Sequence, residues 1–380
     1  MKTAASSPIR ILHLVDPGLT WDERLGLEHL LDRLPAEQFS QTVACLGPAE
    51  GEVRRLPAPI ENIPLRFGRS LGAAPVLRSR VQTEKADLVH AWSQRAASAV
   101  CATPLASAVT LVSLFDPSRA SVCAKVVRSA GSGRRIGILS ATEIIRRRLV
   151  ERGVPADQAV LVRPGIDFSA INRAKKSDLR TRLGVPPNGL LLVTDQPATR
   201  EGGQFCAFWA AAVRSFLEPG VRVVVAGRSR EADRLVRLAA DLGMRHMLIA
   251  PGDGVRQEEL IAVADALLVP AAEEGPVTAV AWAMAAGVPV IASATRATAE
   301  LLAHQQNAFL IKPDVTKRLA LRFAEALGHR REWSKLRESA RGQAFEVFSL
   351  RRYADQTAQV YENLLAGRAV AMEIKDSALV

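Results

Sequence analysis

Several features that would place the chain in a familiar class are scarce or missing from its 380 residues. There are four cysteines, Cys45, Cys101, Cys123 and Cys206, which are scattered, form no C-x-x-C pair and have mostly apolar neighbours. This pattern favours buried thiols in a reducing compartment over disulfides or a metal site. No run of 18 apolar residues occurs, so no membrane-spanning helix is expected, and the first residues predict a short leader into a strand. We therefore expect a cytoplasmic protein.

Aromatic residues are also few, at 5%, whereas positive charge is in excess and gives a net charge of +11. Between Val89 and Thr142, Asp116 is the single acid among six basic residues. The few aromatic residues do not interleave with the arginines as a base-stacking platform would require, so binding of nucleic acid is not expected. The simplest explanation is a solvated, arginine-rich surface. The functional alternative is a basic face of the N-terminal half that attracts the phosphates of an acceptor lipid or a membrane surface, which would make the protein membrane-peripheral.

Apolar runs that predict strands alternate with helical patterns, in two sets of six. The first set is Ile9–Val15, Gln41–Leu46, Leu88–Ala91, Val109–Leu114, Ile136–Leu139 and Val160–Arg163. The second set is Leu190–Thr194, Val221–Ala226, Met247–Ala250, Ala266–Val269, Val288–Ala292 and Ala308–Ile311. Such runs between helical segments indicate parallel sheets covered on both faces, and twelve strands are too many for one compact domain. We predict an α/β protein with two doubly wound, Rossmann-like domains.

The segment from Val269 to Ser293 carries the clearest signal of a binding site. A strand pattern stops at Pro270, a polar loop follows, a helical pattern of small residues runs to Ala286, and Gly287 is placed as its C-cap. In such a unit the helix N-terminus presents N–H groups and partial positive charge to an anion. Glu274, in the loop, is placed to accept hydrogen bonds from the hydroxyls of a ligand.

This segment resembles the donor-binding signature of the retaining glycosyltransferases of family four, which have the GT-B fold of two Rossmann-like domains facing a central cleft. The matching residues are Glu274-Gly275, Ala283–Ala285, Gly287 and Pro289–Ser293. Three further passages are similar to the family, namely Leu139–Ile171, Val221–Met244 and Phe348–Leu365. In GT-B proteins the last of these forms a closing helix that crosses back onto the first domain.

The resemblance implies a domain division and an activity. It implies an acceptor-side domain of residues 1–168 completed by a helix over 350–365, a nucleotide-sugar domain of residues 169–348, and a frayed tail over 366–380. The implied reaction is transfer of a sugar from a nucleotide-sugar to a sugar, lipid or small-molecule acceptor, with retention of configuration. No metal or other cofactor is expected, because the chain offers no D-x-D motif and no His/Cys cluster.

In the implied donor site, some positions match the family and others depart from it. Glu274 and the backbone of Gly275, Pro276 and Val277 would hold the sugar, and Arg200 would neutralise the diphosphate. Two positions differ from the family. Asp195 stands where an arginine is expected, and Trp282, a candidate cleft residue, replaces the second glutamate that binds the nucleotide ribose. These replacements predict weak donor binding and slow transfer.

The first domain departs from the family as well. Trp21 and Asp22 replace a glycine pair. Trp21 could stack on an acceptor ring, and Asp22 could accept a hydrogen bond from an acceptor hydroxyl. Alternatively, the loop could close over an unused cleft. Phe115 replaces a histidine that lies under the donor sugar, with Asp116 retained, and His90 matches a second family histidine that is either a site residue or structural. Two hypotheses stay open: an active glycosyltransferase, and a non-catalytic GT-B protein that regulates or scaffolds a partner.

Overall fold

The computed structural model describes residues 7–63, 74–105, 108–130, 134–194, 203–225, 230–251, 254–270 and 274–370. The described residues fall into two compact units. The first runs up to Gly165 and resumes at Leu350, and the second runs from Ile166 to Ser349. In the described part of the chain, no helix is both long enough and apolar enough to cross a membrane.

The first unit is built on a parallel sheet of seven strands. The strands are β1 (Ile9–Val15), β2 (Phe39–Leu46), β3 (Ile60–Ile63), β4 (Leu88–Ala91), β5 (Val109–Leu114), β6 (Ile136–Ser140) and β7 (Ala159–Leu161). Their order in the sheet is β3-β2-β1-β4-β5-β6-β7, so the direction of chain progression reverses between β1 and β4. The helices of this unit are α1 (Trp21–Arg33), α2 (Ala74–Thr83), α3 (Gln94–Ala102), α4 (Ala120–Ser129), α5 (Glu143–Glu151) and α15 (Leu350–Leu365).

The last helix of the chain, α15, completes the core of the first unit. Its residues Tyr353 and Tyr361 are buried in the same apolar cluster as the strands of the first sheet. The Tyr353 hydroxyl donates to the carbonyl of Gly26 in α1 at 3.3 Å. A Cβ at Gly26 would lie 2.8 Å from the rings of both Phe115 and Trp92, so only glycine allows α1 to approach this closely.

The second unit is built on a parallel sheet of six strands. The strands are β8 (Leu191–Thr194), β9 (Arg222–Val224), β10 (Leu248–Ile249), β11 (Ala266–Val269), β12 (Val290–Ser293) and β13 (Phe309–Ile311), in the order β10-β9-β8-β11-β12-β13. The helices are α6 (Phe168–Lys175), α7 (Leu179–Arg182), α8 (Gly203–Ser215), α9 (Arg230–Asp241), α10 (Gln257–Val263), α11 (Thr278–Ala286), α12 (Arg296–Ala299), α13 (Thr316–Gly328) and α14 (Trp333–Val347). Here the direction reverses between β8 and β11.

The predicted α/β class with two parallel sheets is confirmed, and each of the twelve predicted strands is present, four with the predicted ends and eight with an end shifted by one or two residues. The strand that the sequence did not predict is β3, which pairs with β2 at the edge of the first sheet. Its sequence, IENI, holds two exposed polar residues between its isoleucines. Four residues of this kind do not form the continuous apolar run that marks a buried parallel strand.

Candidate functional site

The strand–loop–helix unit of the second sheet lies where a doubly wound fold binds ligands. The loop before α11 follows β11, one of the two strands that flank the reversal of strand order. Crevices at the carboxyl ends of such strands are the usual ligand sites of this architecture. All nine residues of α11 are buried, and the helix ends at Gly287 with φ 62° and ψ 37°. The predicted C-cap glycine is therefore confirmed.

Glu274 is held by backbone N–H groups at the start of the neighbouring helix. Its carboxylate accepts a hydrogen bond from the N–H of Arg296 at 3.2 Å and another from the N–H of Ala297 at 2.7 Å. Both donors belong to the first turn of α12, whose N-terminus favours a negative charge. The side chain is therefore fixed at the carboxyl edge of the sheet. Each carboxylate oxygen can accept two hydrogen bonds.

The residues that follow Glu274 lead into the N-terminus of α11. Gly275 and Pro276 are half-buried, and Val277, at the N-cap position, is buried and cannot cap through its aliphatic side chain. A helix without a side-chain cap keeps N–H donors in its first turn that water or an anionic ligand can satisfy. This arrangement is suited to a phosphate oxygen close to the Glu274 carboxylate.

Trp282 lies in the core, which corrects its prediction as a residue lining an open cleft. It is 1% exposed, and its indole Nε1 is buried without a hydrogen-bond partner among the described residues. The position where the family pattern has a glutamate therefore holds a packed indole in the middle of α11. In this packing the side chain cannot stack on a base, which requires an accessible ring face.

The predicted cation of the donor site, Arg200, lies outside the described residues, and so does Asp195. Both come after β8, the second strand that flanks the reversal of strand order. The prediction that Arg200 and Glu274 point to one spot therefore stays a prediction.

In the first unit, the loop that departs from the family's glycine pair forms the start of α1. Trp21 is the first residue of the helix and is half-buried, and Asp22 is buried beside it. Thr20 caps the helix, with the Glu23 N–H donating to its hydroxyl at 3.4 Å and its own N–H donating to the Glu23 carboxylate at 2.8 Å. This reciprocal pair is a capping box, which explains why the sequence is helical from Trp21.

Glu23 is a buried carboxylate of this unit with a perturbed proton affinity. It is 4% exposed and accepts from the Arg119 guanidinium at 3.2 Å. Burial raises the pKa of Glu23 to about 7, although the hydrogen bonds from Thr20 and the charge of Arg119 act in the opposite direction. A carboxyl group with this pKa can exchange a proton near neutral pH.

A polar pocket of about 320 Å³ lies at the reversal point of the first sheet. Asp16 follows β1 and Ser93 follows β4, and the Ser93 hydroxyl donates to the Asp16 carboxylate. The Gly18 N–H donates to the other Asp16 oxygen at 2.7 Å. Arg95 and Arg119 supply positive charge to the same pocket. The pocket therefore combines a buried acid, a hydroxyl and two guanidinium groups.

Sequence reasoning missed Asp16, Ser93 and Arg119 as members of one pocket. Asp16 and Ser93 come directly after or soon after predicted strands, which was the available signal. Arg119 was counted only as part of the basic stretch, and nothing in the local pattern indicates that it contacts Glu23, which is 96 residues away in sequence.

Asp116 and Phe115 have structural roles. The Asp116 carboxylate accepts from the N–H of Ser118 at 2.8 Å, which caps the short turn that leads to α4, and lies 3.6 Å from Arg119. Phe115 is buried against Trp92, with ring centroids 6.4 Å apart. Asp116 therefore shapes the wall that carries Arg119.

His90 is part of the core, which corrects its prediction as a cleft residue. The side chain is fully buried, its Nδ1 lies 2.7 Å from the Tyr361 hydroxyl, and its Nε2 lies 2.8 Å from the Ser113 hydroxyl. Burial, together with the nearby His13, holds the pKa of His90 well below its usual value. The imidazole is therefore neutral and satisfied, which is the structural alternative considered for it.

Comparison with solved structures identifies the class of fold. The structure of Anabaena Alr3699/HepE in complex with UDP-glucose superposes with a TM-score of 0.76 at 18% identity, over 93% of this chain and 99% of that one. WaaG, a glycosyltransferase involved in lipopolysaccharide biosynthesis, superposes with a TM-score of 0.69 at 17% identity, over 93% and 99%. The chain therefore has the GT-B fold, with two Rossmann-like units.

Sequence comparison finds similarity in part of the second unit and beyond it. Residues 206–343 match the family model of glycosyl transferases group 1. The chain is 32% identical to the MMP alpha-(1->4)-mannosyltransferase of Mycolicibacterium hassiacum over 34% of this chain and 32% of that protein. It is 27% identical to the D-inositol 3-phosphate glycosyltransferase of Acidothermus cellulolyticus over 59% and 52%. The matches thus span about a third to a half of these relatives.

Proposed function

We propose that the protein transfers a sugar from a nucleotide-sugar donor to a hydroxyl-bearing acceptor, with retention of configuration. The observation that carries the proposal is the Glu274 carboxylate beside the uncapped N-terminus of α11, within the residues that match the family model. The Alr3699/HepE structure, which has the same fold, contains UDP-glucose. Two proteins to which this chain is similar in sequence are named as a mannosyltransferase and a glycosyltransferase.

In this reaction the bond between the sugar C1 and the diphosphate oxygen breaks, and a bond between C1 and the acceptor oxygen forms. The departing diphosphate gains negative charge, which the N–H groups of α11 would stabilise. Glu274 would accept a hydrogen bond from a sugar hydroxyl and so orient C1. Arg200 would add a cation to the diphosphate, while Asp195 would oppose its binding.

The polar pocket at the reversal point of the first sheet supports an acceptor role. Asp16 can accept a hydrogen bond from an acceptor hydroxyl, and Arg95 and Arg119 suit an anionic substituent on the acceptor. The acceptor proton must leave during transfer, and Glu23, with a pKa of about 7, lies next to Arg119. The excess of basic residues in this unit also supports a lipid phosphate or membrane-surface acceptor.

A non-catalytic role is the second candidate function, and the burial of Trp282 favours it. A packed indole cannot accept hydrogen bonds from ribose hydroxyls, which the replaced glutamate would do. In that case the protein would use the GT-B fold to regulate or scaffold an active partner.

The first test is calorimetry of the full chain with a panel of UDP-, GDP- and ADP-sugars. We expect one donor to bind, and Glu274→Gln to weaken that binding about tenfold, as expected when one charge-assisted hydrogen bond is lost. Glu325→Gln, an exposed carboxylate on α13, is the matched control and should bind normally. Absence of binding to every donor would overturn the transferase proposal.

The second test separates donor chemistry from acceptor use. For the donor that binds, release of nucleoside diphosphate is measured with and without a panel of sugar, phospholipid and small-molecule acceptors. Asp16→Asn should leave the slow donor hydrolysis unchanged and reduce acceptor-stimulated release. Donor binding without any turnover would support the non-catalytic alternative.

A further inference from the structure

A second cavity lies at the opposite end of α11 from Glu274 and has a volume of about 790 Å³. Its walls are the last residue of α6, the last residues of α11, and one face of α14, all within the second unit. Three basic residues line it, Lys175, Arg337 and Arg341. Nine helical residues separate the two ends of α11, which is about 13 Å at 1.5 Å per residue. The cavity is therefore separate from the proposed donor site.

The three basic residues are not held in ion pairs by carboxylates of the described part of the chain. Among the described residues, no ion pair within 4 Å joins Lys175, Arg337 or Arg341 to an acid. Lys175 donates to the carbonyl of Ala286 at the end of α11. The Arg337 guanidinium stacks over the Trp333 ring at 5.7 Å, and its Nε is buried without a hydrogen-bond partner in the described part of the chain. Burial and the charges of the two arginines lower the pKa of Lys175.

The carboxyl end of α11 accounts for one of these residues but not for all three. The last carbonyls of a helix attract cations, which explains why Lys175 binds the Ala286 carbonyl. Among the residues that the structure describes, Arg337 and Arg341 make no such bond. They stand four residues apart on α14, where like charges repel across one turn of helix. A pair of arginines that costs stability and finds no acceptor in the described residues indicates an acceptor from outside the chain.

We propose that this cavity binds a phosphate-bearing ligand. Arginine side chains offer planar, paired donors that match phosphate oxygens, and a lysine adds a third positive charge. The volume admits a ligand larger than a bare ion. Phe345, which also lines the cavity and is 70% exposed, offers an apolar contact beside the charges. The phosphate belongs either to a soluble phosphorylated molecule or to a lipid headgroup.

Two acids, Glu338 and Glu346, also line the cavity. Removing their charge should change phosphate affinity in the opposite direction from removing the charge of the arginines. Neither forms a described ion pair with the basic residues, so each opposes the binding of an anion. Replacing Glu338 and Glu346 by glutamine should therefore tighten phosphate binding, whereas replacing Arg337 and Arg341 should weaken it. A cavity that is basic only to cap α11 would show neither effect.

The experiment measures two kinds of probe on the full chain. Calorimetry uses inorganic phosphate and glycerol 3-phosphate, and sedimentation uses vesicles of phosphatidylglycerol against vesicles of phosphatidylcholine. For whichever phosphate source binds, we expect R337Q/R341Q to weaken binding at least tenfold and E338Q/E346Q to tighten it several-fold. The matched control is R234Q/R237Q, which removes two exposed arginines from α9 of the same unit and should bind as the unaltered protein does.

The outcomes distinguish the two sources and the null case. Binding of the soluble phosphates identifies a small-molecule ligand, and binding confined to phosphatidylglycerol vesicles identifies a lipid headgroup. Equal binding of every probe by the unaltered protein, R337Q/R341Q and E338Q/E346Q would overturn the proposal. Circular dichroism checks that each variant is folded, and Arg337→Lys, which keeps the charge, should retain part of the affinity. Titration with a nucleotide-sugar reports separately on the donor site, which these variants leave intact.

Discussion

At the scale of single residues, burial decides which family positions can take part in binding. Glu274 stands at the carboxyl edge of its sheet with its carboxylate fixed by two N–H groups. Trp282 and His90 are completely enclosed, although the resemblance to the family makes both of them candidates. A family motif locates positions along the chain. Which of those side chains reaches solvent depends on packing by residues that are distant in sequence, such as Tyr361 against His90.

Burial of Trp282 predicts that the two departures from the family donor site respond differently to reversion. Asp195→Arg exchanges a charge that repels a diphosphate for one that attracts it, so we expect donor affinity to rise about tenfold or more. Trp282→Glu places a carboxylate among buried apolar residues and removes a packed indole, which costs about 3–5 kcal/mol for truncation alone. We therefore expect this variant to melt at least roughly 6 °C lower, by the usual scaling for a domain of this size.

Calorimetry with the donor and thermal melts of the same samples check this prediction. A Trp282→Glu variant that keeps its melting temperature and gains donor affinity would show that the position opens to the donor site. Unchanged affinity in Asp195→Arg would show that position 195 does not contact the diphosphate.

The raised pKa of Glu23 predicts a pH dependence of stability. The folded protein holds the Glu23 proton up to about pH 7, against a usual pKa of 4.5. Because the folded state binds this proton more tightly, the stabilisation is complete below pH 4.5 and is lost as the pH rises towards 7. Its size is of the order of 3–4 kcal/mol, at about 1.4 kcal/mol for each pH unit between the two pKa values.

Glu23→Gln cannot titrate, so the unaltered protein should lose stability relative to this variant as the pH rises from 4.5 to 7. Urea unfolding at several pH values measures the difference. Glu37→Gln removes an exposed carboxylate from the same unit and should show no such pH-dependent difference. Parallel curves for the Glu23→Gln and unaltered proteins would contradict the raised pKa.

At the scale of helices and strands, most of the fold could be predicted because parallel strands are buried on both faces. Their continuous apolar runs identify them, as in β5, where all six residues are buried. The exposed edge strand β3 lacks that signal. The pocket around Asp16 could not be predicted in full, because it depends on Arg119 reaching across from another element to Glu23. Strand order creates the pocket, and local pattern does not determine strand order.

Substitution by alanine should have opposite effects on stability at two glycines, Gly26 in the closely packed α1 and Gly342 in α14. A Cβ at Gly26 would lie 2.8 Å from the buried rings of Phe115 and Trp92, so Gly26→Ala should cost about 1–3 kcal/mol. Gly342, inside α14, has no atom within 4 Å of its added Cβ, and Gly342→Ala should stabilise by about 0.4–1 kcal/mol. Chemical unfolding of both variants measures the two signs, and a neutral Gly26→Ala would show that α1 shifts freely.

At the scale of the whole molecule, the chain crosses from the second unit back to the first at Leu350. This return supplies Tyr353 and Tyr361 to the first core and a hydroxyl partner to His90. The second unit has its own apolar cluster around Phe208, Phe323 and Leu327, and the described members of that cluster include no residue of α15. The two units therefore differ in their dependence on the end of the chain.

This asymmetry predicts the result of two truncations. A chain that ends at Ser349 lacks α15, which removes Tyr353 and Tyr361 from the core of the first unit and leaves a buried His90 without its Tyr361 partner. We expect its first unit to be unfolded and readily cleaved by protease, while the second unit still melts cooperatively. A chain that ends at Val370 keeps α15 and the Val370 N–H bond to the Asp157 carbonyl at 2.9 Å, and it should melt as the full chain does. Limited proteolysis with mass spectrometry identifies which unit survives. Protection of both units in the shorter chain would mean that α15 is dispensable to the first core.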